Sequence, residues 1–337
     1  MTTTSTAPGP LFDHLQRLTV GPGLFEHADH ADPRPEHGYC VDDVARALVV
    51  TSREPDPSAQ VQALARTYLD FTLASLRPDG SCRNRMSVDG TWSEPGTGDW
   101  WGRAVWGLGV ASAHGPTPEF RAEALRGFRL AAGARLSPHL RPRTFAALGA
   151  CEVPGEHDLL RDAVQAVGVP SPAMVDPFWP WPERWLTYAN ASIAEALLVA
   201  GSVLGDQAAL GHGLRLLEFL LRTETRDGHL SVTPVRGRDR AAEEPGFDQQ
   251  PIEVSTLADA CARAYDLTGE ERWRTAVGAA WDWFLGANDS GVPMFDPATG
   301  AGFDGLLKDG RNLNQGAEST LAALSTAQQA RRLGVWG

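Results

Sequence analysis

Residues 41–51 read Val41-Asp-Asp-Val-Ala-Arg-Ala-Leu-Val-Val-Thr51 and predict a helix that is apolar on nearly every side. A helix of this kind is buried all round. The same composition, rich in Ala, Leu, Val and Gly, recurs in residues 99–113, 143–151, 188–204, 252–267 and 314–333. The six segments follow one another roughly every fifty residues, and a period of that size indicates a repeat architecture.

Amphipathic helices alternate with the buried ones. They are predicted in residues 58–76, 118–136, 157–167, 207–222 and 270–285. In the first of them Val61, Leu64 and Tyr68 share one face at helical spacing, while the polar Gln60 lies elsewhere. Each buried helix therefore pairs with an outer helix that covers it.

The last buried segment has no amphipathic partner after it. We predict that residues 11–18 supply this partner and close a ring. The predicted fold is thus all-α, an (α/α)6 toroid in which residues 11–337 form one domain and residues 1–10 form a disordered tail.

Turn signals precede the buried helices at Pro78-Asp-Gly80, Arg226-Asp-Gly228 and Asn288-Asp-Ser-Gly291. Gly accepts the positive φ that such turns require. A short extended piece follows each turn, which predicts short β-hairpins in the loops of one rim. All inner helices would then begin at that rim, where their free N–H groups and positive dipole ends converge.

Composition narrows the range of functions. The formal net charge is -12, which disfavours binding to nucleic acid or to anionic membranes. No apolar run is long enough for a membrane helix. Residues 1–10 lack the pattern of a secretion signal, so we expect a cytoplasmic protein whose four cysteines are reduced thiols.

The starts of the buried helices carry the candidate catalytic carboxylates, which are Asp42, Asp43, Asp99, Glu253 and Glu318. A carboxyl group buried among apolar residues has a raised pKa, which suits a general acid. The aspartates could instead cap helices. The glutamates could form structural salt bridges with Arg46, Arg103 or Arg143.

Cleavage of a glycosidic bond needs two carboxyl groups that flank it. Asp43 facing Glu253 or Glu318 across the ring would suit the wider separation of an inverting enzyme.

Aromatic and polar groups near the same helix starts predict a sugar-binding surface, because a pyranose ring packs on an aromatic face. The predicted substrate-binding residues are His27, His30, Tyr39, Arg46, Trp100, Trp101, Arg103, Trp179, Trp181, Tyr188, Asn190, Gln250, Asn314 and Gln315. For the tryptophans the alternative is that they anchor loops to the core.

The pair His27-Ala-Asp-His30 has no Cys or Glu at the spacing of a zinc site, so no metal and no cofactor are predicted. The histidines could instead move protons beside a sugar carbon. Motifs for serine hydrolases, phosphate-binding loops and dinucleotide binding are missing from the sequence.

Three segments, residues 25–47, 99–109 and 312–321, resemble bacterial members of the six-hairpin glycosidase superfamily. The resemblance implies the toroid fold and a carbohydrate substrate. The chain departs from the pattern at Val44, where the family pattern has a polar residue. It also departs at Trp100 and Trp101, where a small polar residue and a histidine are expected.

The main functional hypothesis is a glycoside hydrolase for a neutral oligosaccharide, with a mannose-containing one among the candidates and phosphorolysis as a variant reaction. One alternative is a sugar epimerase or isomerase that uses His27, His30 or His37. The other is a carbohydrate-binding protein without catalysis, whose acidic residues serve as helix caps.

Overall fold

The computed structural model describes residues 11–242 and 244–336, and the predicted disordered tail lies outside these ranges. The described helices are α1 (Asp13–Leu18), α2 (Val41–Arg53), α3 (Ala59–Ser75), α4 (Asp99–His114), α5 (Pro118–Ala132), α6 (Leu140–Ala150), α7 (Asp158–Val167), α8 (Ala191–Leu204), α9 (Gln207–Thr223), α10 (Pro251–Thr268), α11 (Glu271–Leu285) and α12 (Ala317–Arg332). Two short 3-10 helices cover Pro35–His37 and Pro172–Met174.

The even-numbered helices form a closed inner ring. Each packs on the next in chain order, and α12 returns to pack on α2. Small residues let the inner helices approach closely: a Cβ at Gly109 of α4 would stand 2.2 Å from the carbonyl oxygen of Gly149 in α6. The odd-numbered helices α3 to α11 cover the ring from outside, and the predicted (α/α)6 toroid is confirmed.

The short helix α1 completes the outer layer by packing on α12. Leu15 and Leu18 are fully buried there. The ring of His14 also bonds through Nε2 to the carbonyl oxygen of Gln315, at 2.7 Å, just before α12. The prediction that residues 11–18 close the ring is confirmed, because the sixth inner helix takes its outer partner from the other end of the chain.

The loops carry short strands: β1 (Thr19–Val20), β2 (Gly23–Leu24), β3 (Ala28–Asp29), β4 (Asp32–Pro33), β5 (Tyr39–Cys40), β6 (Cys82–Arg83), β7 (Arg85–Met86), β8 (Pro95–Gly96), β9 (Thr225–Arg226), β10 (His229–Leu230), β11 (Phe295–Asp296), β12 (Ala301–Gly302), β13 (Gly305–Leu307) and β14 (Gly310–Asn312). They form seven antiparallel pairs, as the predicted rim hairpins require. The pairing of β5 with β7 sets Cys40 opposite Arg85.

The inner helices share one direction. Residues from the starts of α2, α4 and α12 line a cavity at one rim, and residues from the ends of α2, α4, α10 and α12 line another at the opposite rim. We call the first cavity the funnel and the second the mouth. No helix among the described residues is both long and apolar enough to cross a membrane.

Candidate active site

The funnel has a volume of about 380 Å³ and is strongly charged. Its lining residues are Glu26, His27, Cys40, Asp42, Asp43, Arg46, Arg85, Arg103, Asp248, Gln250, Asp304, Asn312, Gly316, Glu318 and Ser319. Six carboxyl groups thus meet three guanidinium groups and one imidazole. Such a density of ionisable groups in one concave site is typical of a catalytic centre.

Arg46 links two of these carboxylates. Its Nη2 donates to Asp43 Oδ1 and its Nη1 donates to Glu318 Oε2, both at 2.5 Å. Burial raises the pKa of Asp43 to about 7 despite the neighbouring guanidinium. The pKa of Glu318 is lowered, because Arg46 and Arg103 outweigh the effect of burial.

This arrangement corrects one prediction. Asp43 and Glu318 were expected on opposite sides of the ring, but they share one guanidinium because α2 and α12 are neighbours. The predicted structural salt bridge of Glu318 with Arg46 does form. Arg143 bonds elsewhere, to Asp162 on α7, through Nε at 2.7 Å.

Asp42 has a less complete set of partners. Its Oδ1 is buried without a hydrogen bond among the described residues, and the nearest cation is Arg103 Nη1 at 3.5 Å. Burial raises the pKa of this carboxyl group. Arg103 likewise leaves its Nε without a partner there.

Asp248 and Asp304 enter the funnel from the loops before α10 and α12. Asp304 Oδ1 accepts bonds from the Gly316 amide at 2.7 Å and the Ser319 hydroxyl at 2.5 Å. Asp248 Oδ1 is buried and has no hydrogen bond within the described ranges. Burial, together with the charge of Asp304, raises the pKa of Asp248 to about 6.

Glu26, Cys40 and Asp43 form one possible metal-ligating group, since their ligand atoms lie within 4.8 Å of one another. Arg85 donates to both oxygens of Glu26, and the Oε1 bond is 2.9 Å long. Burial raises the pKa of the Cys40 thiol well above its usual value. The two carboxylates are already paired with guanidinium groups and the thiol keeps its proton, so the group is poorly suited to a cation.

A second lobe of about 240 Å³ continues the funnel and shares Arg103, Gln250 and Glu318 with it. Tyr188, which is 43% exposed, lines this lobe and donates its hydroxyl to Asp99 Oδ2 at 2.6 Å. The lobe also has apolar lining, contributed by Pro234, Val235 and Ile252.

Glu253 lines the second lobe, but its carboxylate is hydrogen-bonded to the two residues that precede α8. Its Oε1 accepts from the Ala189 amide at 2.5 Å, and its Oε2 accepts from the amide and the side chain of Asn190. Burial, with Glu224 nearby, raises the pKa of Glu253 to about 8. Asn190 is 1% exposed and also accepts from Arg141, so this pair holds the start of α8 in place.

The predicted sugar-stacking role of the tryptophans is wrong for Trp101 and Trp181, which are 0% and 5% exposed. Trp100 and Trp179 are partly buried and donate their indole N–H to the backbone oxygens of Cys82 and Glu183. These side chains anchor rim loops to the core, which was the alternative.

The predicted substrate-binding role of Tyr39 is also wrong, because its side chain is buried, 5% exposed, and stacks on Phe25. His30, Asn314 and Gln315 do not line the funnel. The His30 amide donates to Asn314 Oδ1, and the His30 carbonyl accepts from the Gln315 amide. The three residues therefore tie the first rim hairpin to the start of α12.

The prediction omitted Arg85 and Cys40 as site residues. Both belong to two-residue strands, and only the cross-strand pairing of β5 with β7 brings them to the funnel. A cysteine or an arginine in a two-residue strand has no sequence pattern that identifies it as a site residue.

No protein-family model matches the sequence, and no curated protein is significantly similar to it. Solved structures do match. Cellobiose 2-epimerase from Bacillus thermoamylovorans is 12% identical with a TM-score of 0.70, over 96% of each chain. D-Mannose isomerase is 11% identical with a TM-score of 0.69, over 95% of this chain and 96% of that one. The cellulase Cel9M of C. cellulolyticum is 8% identical with a TM-score of 0.63, over 92% of this chain and 87% of that one. The chain therefore shares the (α/α)6 toroid fold of these proteins.

Proposed function

We propose that the chain is a carbohydrate-active enzyme that hydrolyses a glycosidic bond of a neutral oligosaccharide in the funnel. The proposal rests on one observation: six carboxyl groups line one cavity, and their surroundings push their pKa values apart. Glycosidic cleavage needs one protonated and one ionised carboxyl group around the bond.

Asp248 and Glu318 are the pair that we assign to this chemistry. Asp248 has the raised pKa, about 6, of a group that can protonate the leaving oxygen. Glu318 has a lowered pKa and a side chain that is 40% exposed, so as a carboxylate it can activate water or attack. Asp43 is 2% exposed and supports Arg46 behind Glu318.

The substrate that we propose contains at least two sugar rings, because two connected lobes flank Glu318. The face of Tyr188 and the apolar wall beside Ile252 suit the apolar face of a pyranose. The excess of carboxylates in the first lobe would repel an acidic sugar, which favours a neutral one.

Sugar epimerisation or isomerisation is the second candidate. His27 lines the funnel, with a side chain 49% exposed and Nε2 at 3.7 Å from Glu26 Oε2. An imidazole beside a carboxylate can remove a proton from the carbon next to a sugar carbonyl. The fold likeness to a cellobiose epimerase and a mannose isomerase also supports this candidate.

A mass-spectrometric screen in heavy water separates the two reactions. Neutral disaccharides and trisaccharides of glucose, mannose and galactose are incubated with the purified chain, with and without phosphate. Hydrolysis predicts monosaccharides without phosphate. An unchanged chain length with one carbon-bound deuterium would replace hydrolysis by the second candidate. Products that need phosphate would indicate a phosphorylase, and an inert panel would count against all three.

Amide variants test the assigned pair. Asp248→Asn and Glu318→Gln should each lower kcat by about 10²–10⁴-fold, the usual contribution of general acid–base catalysis, with an unchanged circular dichroism spectrum. Asp70→Asn and Glu119→Gln are matched controls on exposed faces of α3 and α5 and should keep full activity. Normal turnover in Glu318→Gln would remove Glu318 from the mechanism.

A further inference from the structure

The mouth, at the opposite rim from the funnel, has a volume of about 540 Å³. Its lining residues are Arg53, Glu54, Pro55, His114, Glu152, Glu195, Asp259, Arg263, Asp266, Gln328, Gln329, Arg331 and Arg332. The volume falls within the range of small-molecule sites. Nothing in the proposed sugar chemistry uses these residues.

The mouth has one more carboxyl group than it has guanidinium groups. Five carboxyl groups and four guanidinium groups line it, together with one imidazole. Each guanidinium has its own carboxylate. The pairs are Arg53 with Asp259 at 3.1 Å, Arg263 with Glu152 at 3.1 Å, Arg331 with Glu54 at 3.2 Å and Arg332 with Asp266 at 2.9 Å. One carboxyl group, that of Glu195, is therefore left over.

Glu195 is 3% exposed, yet no donor of the described residues is within hydrogen-bond distance of its carboxyl group. The nearest cationic atom is Arg263 Nε at 3.9 Å, and Arg263 already donates to Glu152. A buried carboxyl group without hydrogen bonds is energetically costly. Its position in the lining of a cavity means that a bound molecule can supply the missing donor.

A second acceptor of the mouth also lacks a hydrogen-bond partner among the described residues. Gln328 Oε1 is buried and bonds to no described residue, whereas its Nε2 donates to Val50 O at 2.9 Å and to Glu54 Oε2 at 2.7 Å. The ends of α2, α4, α10 and α12 also converge here, and helix C-termini attract positive charge. The acceptors without partners in the mouth thus suit a ligand that donates hydrogen bonds and carries positive charge.

We propose that the mouth binds a small organic cation, a primary amine whose ammonium group donates to Glu195. An ammonium group offers three donors and no acceptor, which complements the unsatisfied acceptors around it. An anion of the same size would meet the carboxylate, and a neutral polyol would gain no Coulombic attraction. This site is separate from the sugar chemistry and stands without it.

Affinity for an amine should depend on pH. Burial, with Asp259 nearby, raises the pKa of Glu195 to about 7, although Arg263 and Arg53 oppose the shift and Glu152 adds to it. Only the ionised form attracts an ammonium group strongly, so binding should tighten as pH rises from 6 to 8.

Titration calorimetry with three probes of equal chain length tests the proposal. The probes are 1,4-diaminobutane, 1,4-butanediol and succinate, which differ in charge but little in size. Saturable binding of the diamine alone, at least about tenfold tighter at pH 8 than at pH 6, is expected. Binding of the diol or of succinate with equal affinity, or no saturable diamine binding, would overturn it.

Variants then place the diamine in the mouth or in the funnel. Glu195→Gln removes the charge with little change of shape and should weaken diamine binding at least about tenfold and abolish its pH dependence. Glu318→Gln should leave diamine binding unchanged; the reverse outcome would assign the diamine to the funnel and overturn the proposal.

Hydrogen exchange of the wild-type chain is an independent measurement. The diamine should protect backbone amides at the ends of α2, α10 and α12 from exchange.

Discussion

The funnel and the mouth are built from the same residue types and lie at opposite ends of α2, α4 and α12, but their charges are arranged differently. In the funnel, one guanidinium group, that of Arg46, bonds to two carboxylates. In the mouth, each guanidinium bonds mainly to one carboxylate, and Glu195 is left without a hydrogen bond. A shared cation keeps acids close together in different protonation states, whereas one-to-one pairing leaves a single unmatched charge.

The largest expected difference between the funnel and the mouth is in the free energy of unfolding that is lost when an arginine is replaced. Arg46→Met leaves Asp43 and Glu318 without their common cation and should lower the free energy of unfolding by about 3–5 kcal/mol, the usual cost of breaking a buried pair. Arg53→Met is the matched change in the mouth. It should cost less, about 1–3 kcal/mol, because Asp259 also accepts bonds from Ser325 and Gln329.

Urea denaturation of both variants measures this difference. A larger loss in Arg53→Met than in Arg46→Met would mean that the mouth, rather than the funnel, depends on its cations. Adding Asp43→Asn to Arg46→Met should recover part of the lost stability, since it removes one of the carboxylates left unpaired.

The pH dependence of stability is the next largest effect. Burial raises the pKa of Asp43 and Glu195 to about 7 and that of Glu253 to about 8, so these groups bind protons more tightly in the folded chain. The stability that each group contributes is fully present below about pH 4, the ordinary pKa of a carboxyl group in the unfolded chain, and is lost as pH rises from there through the folded pKa, by on the order of 1–3 kcal/mol per group.

Glu152 contributes to the pH dependence of stability with the opposite sign. Its pKa is lowered to about 2, because His114 and the nearby arginines outweigh the effect of burial. Its contribution is present above the unfolded pKa and is lost as pH falls through that range. Urea midpoints measured from pH 3 to pH 9 should therefore be highest near about pH 4, the ordinary carboxyl pKa, and decline from there to about pH 8. Asp43→Asn and Glu195→Gln should each make the fall in stability above about pH 4 less steep. An unchanged slope would refute the raised pKa assigned to the substituted residue.

The smallest effect concerns the second lobe of the funnel. Tyr188→Phe removes the hydroxyl that bonds to Asp99 while keeping the aromatic face, so KM should rise a few-fold, which corresponds to about 0.5–1.5 kcal/mol. Trp100→Phe is the control, because its indole N–H bonds to Cys82 O. It should lower stability without changing KM; a KM change in Trp100→Phe alone would return the tryptophan to the binding surface.

The architecture was predictable because burial is periodic in this sequence. Helices that are apolar all round, such as α2, can only be inner helices, and their observed bounds differ from the predicted ones by a few residues. Even the closure by α1 followed from counting unpaired helices.

The site was less predictable, because contacts across the ring do not follow from position in a helix. Glu318 was predicted as a site residue and lines the funnel, but its bond to Arg46 depends on α12 returning beside α2. Trp101 was predicted to lie in a loop, but it is the third residue of α4 and is fully buried. The mouth was missed altogether, because Glu195 and Asp259 are isolated acids along apolar helices and the fold alone brings them together.

The packing of α1 on α12 also fixes the order of events during synthesis. The apolar side of α1, with Leu15 and Leu18, has its partner nearly 300 residues later in the chain. At about 5–20 residues per second, a ribosome needs roughly 15–60 s to reach α12 after α1 has emerged. During that interval α1 and the unfinished edge of the ring lack their final neighbours, so the packing of α1 is completed only when α12 has been made.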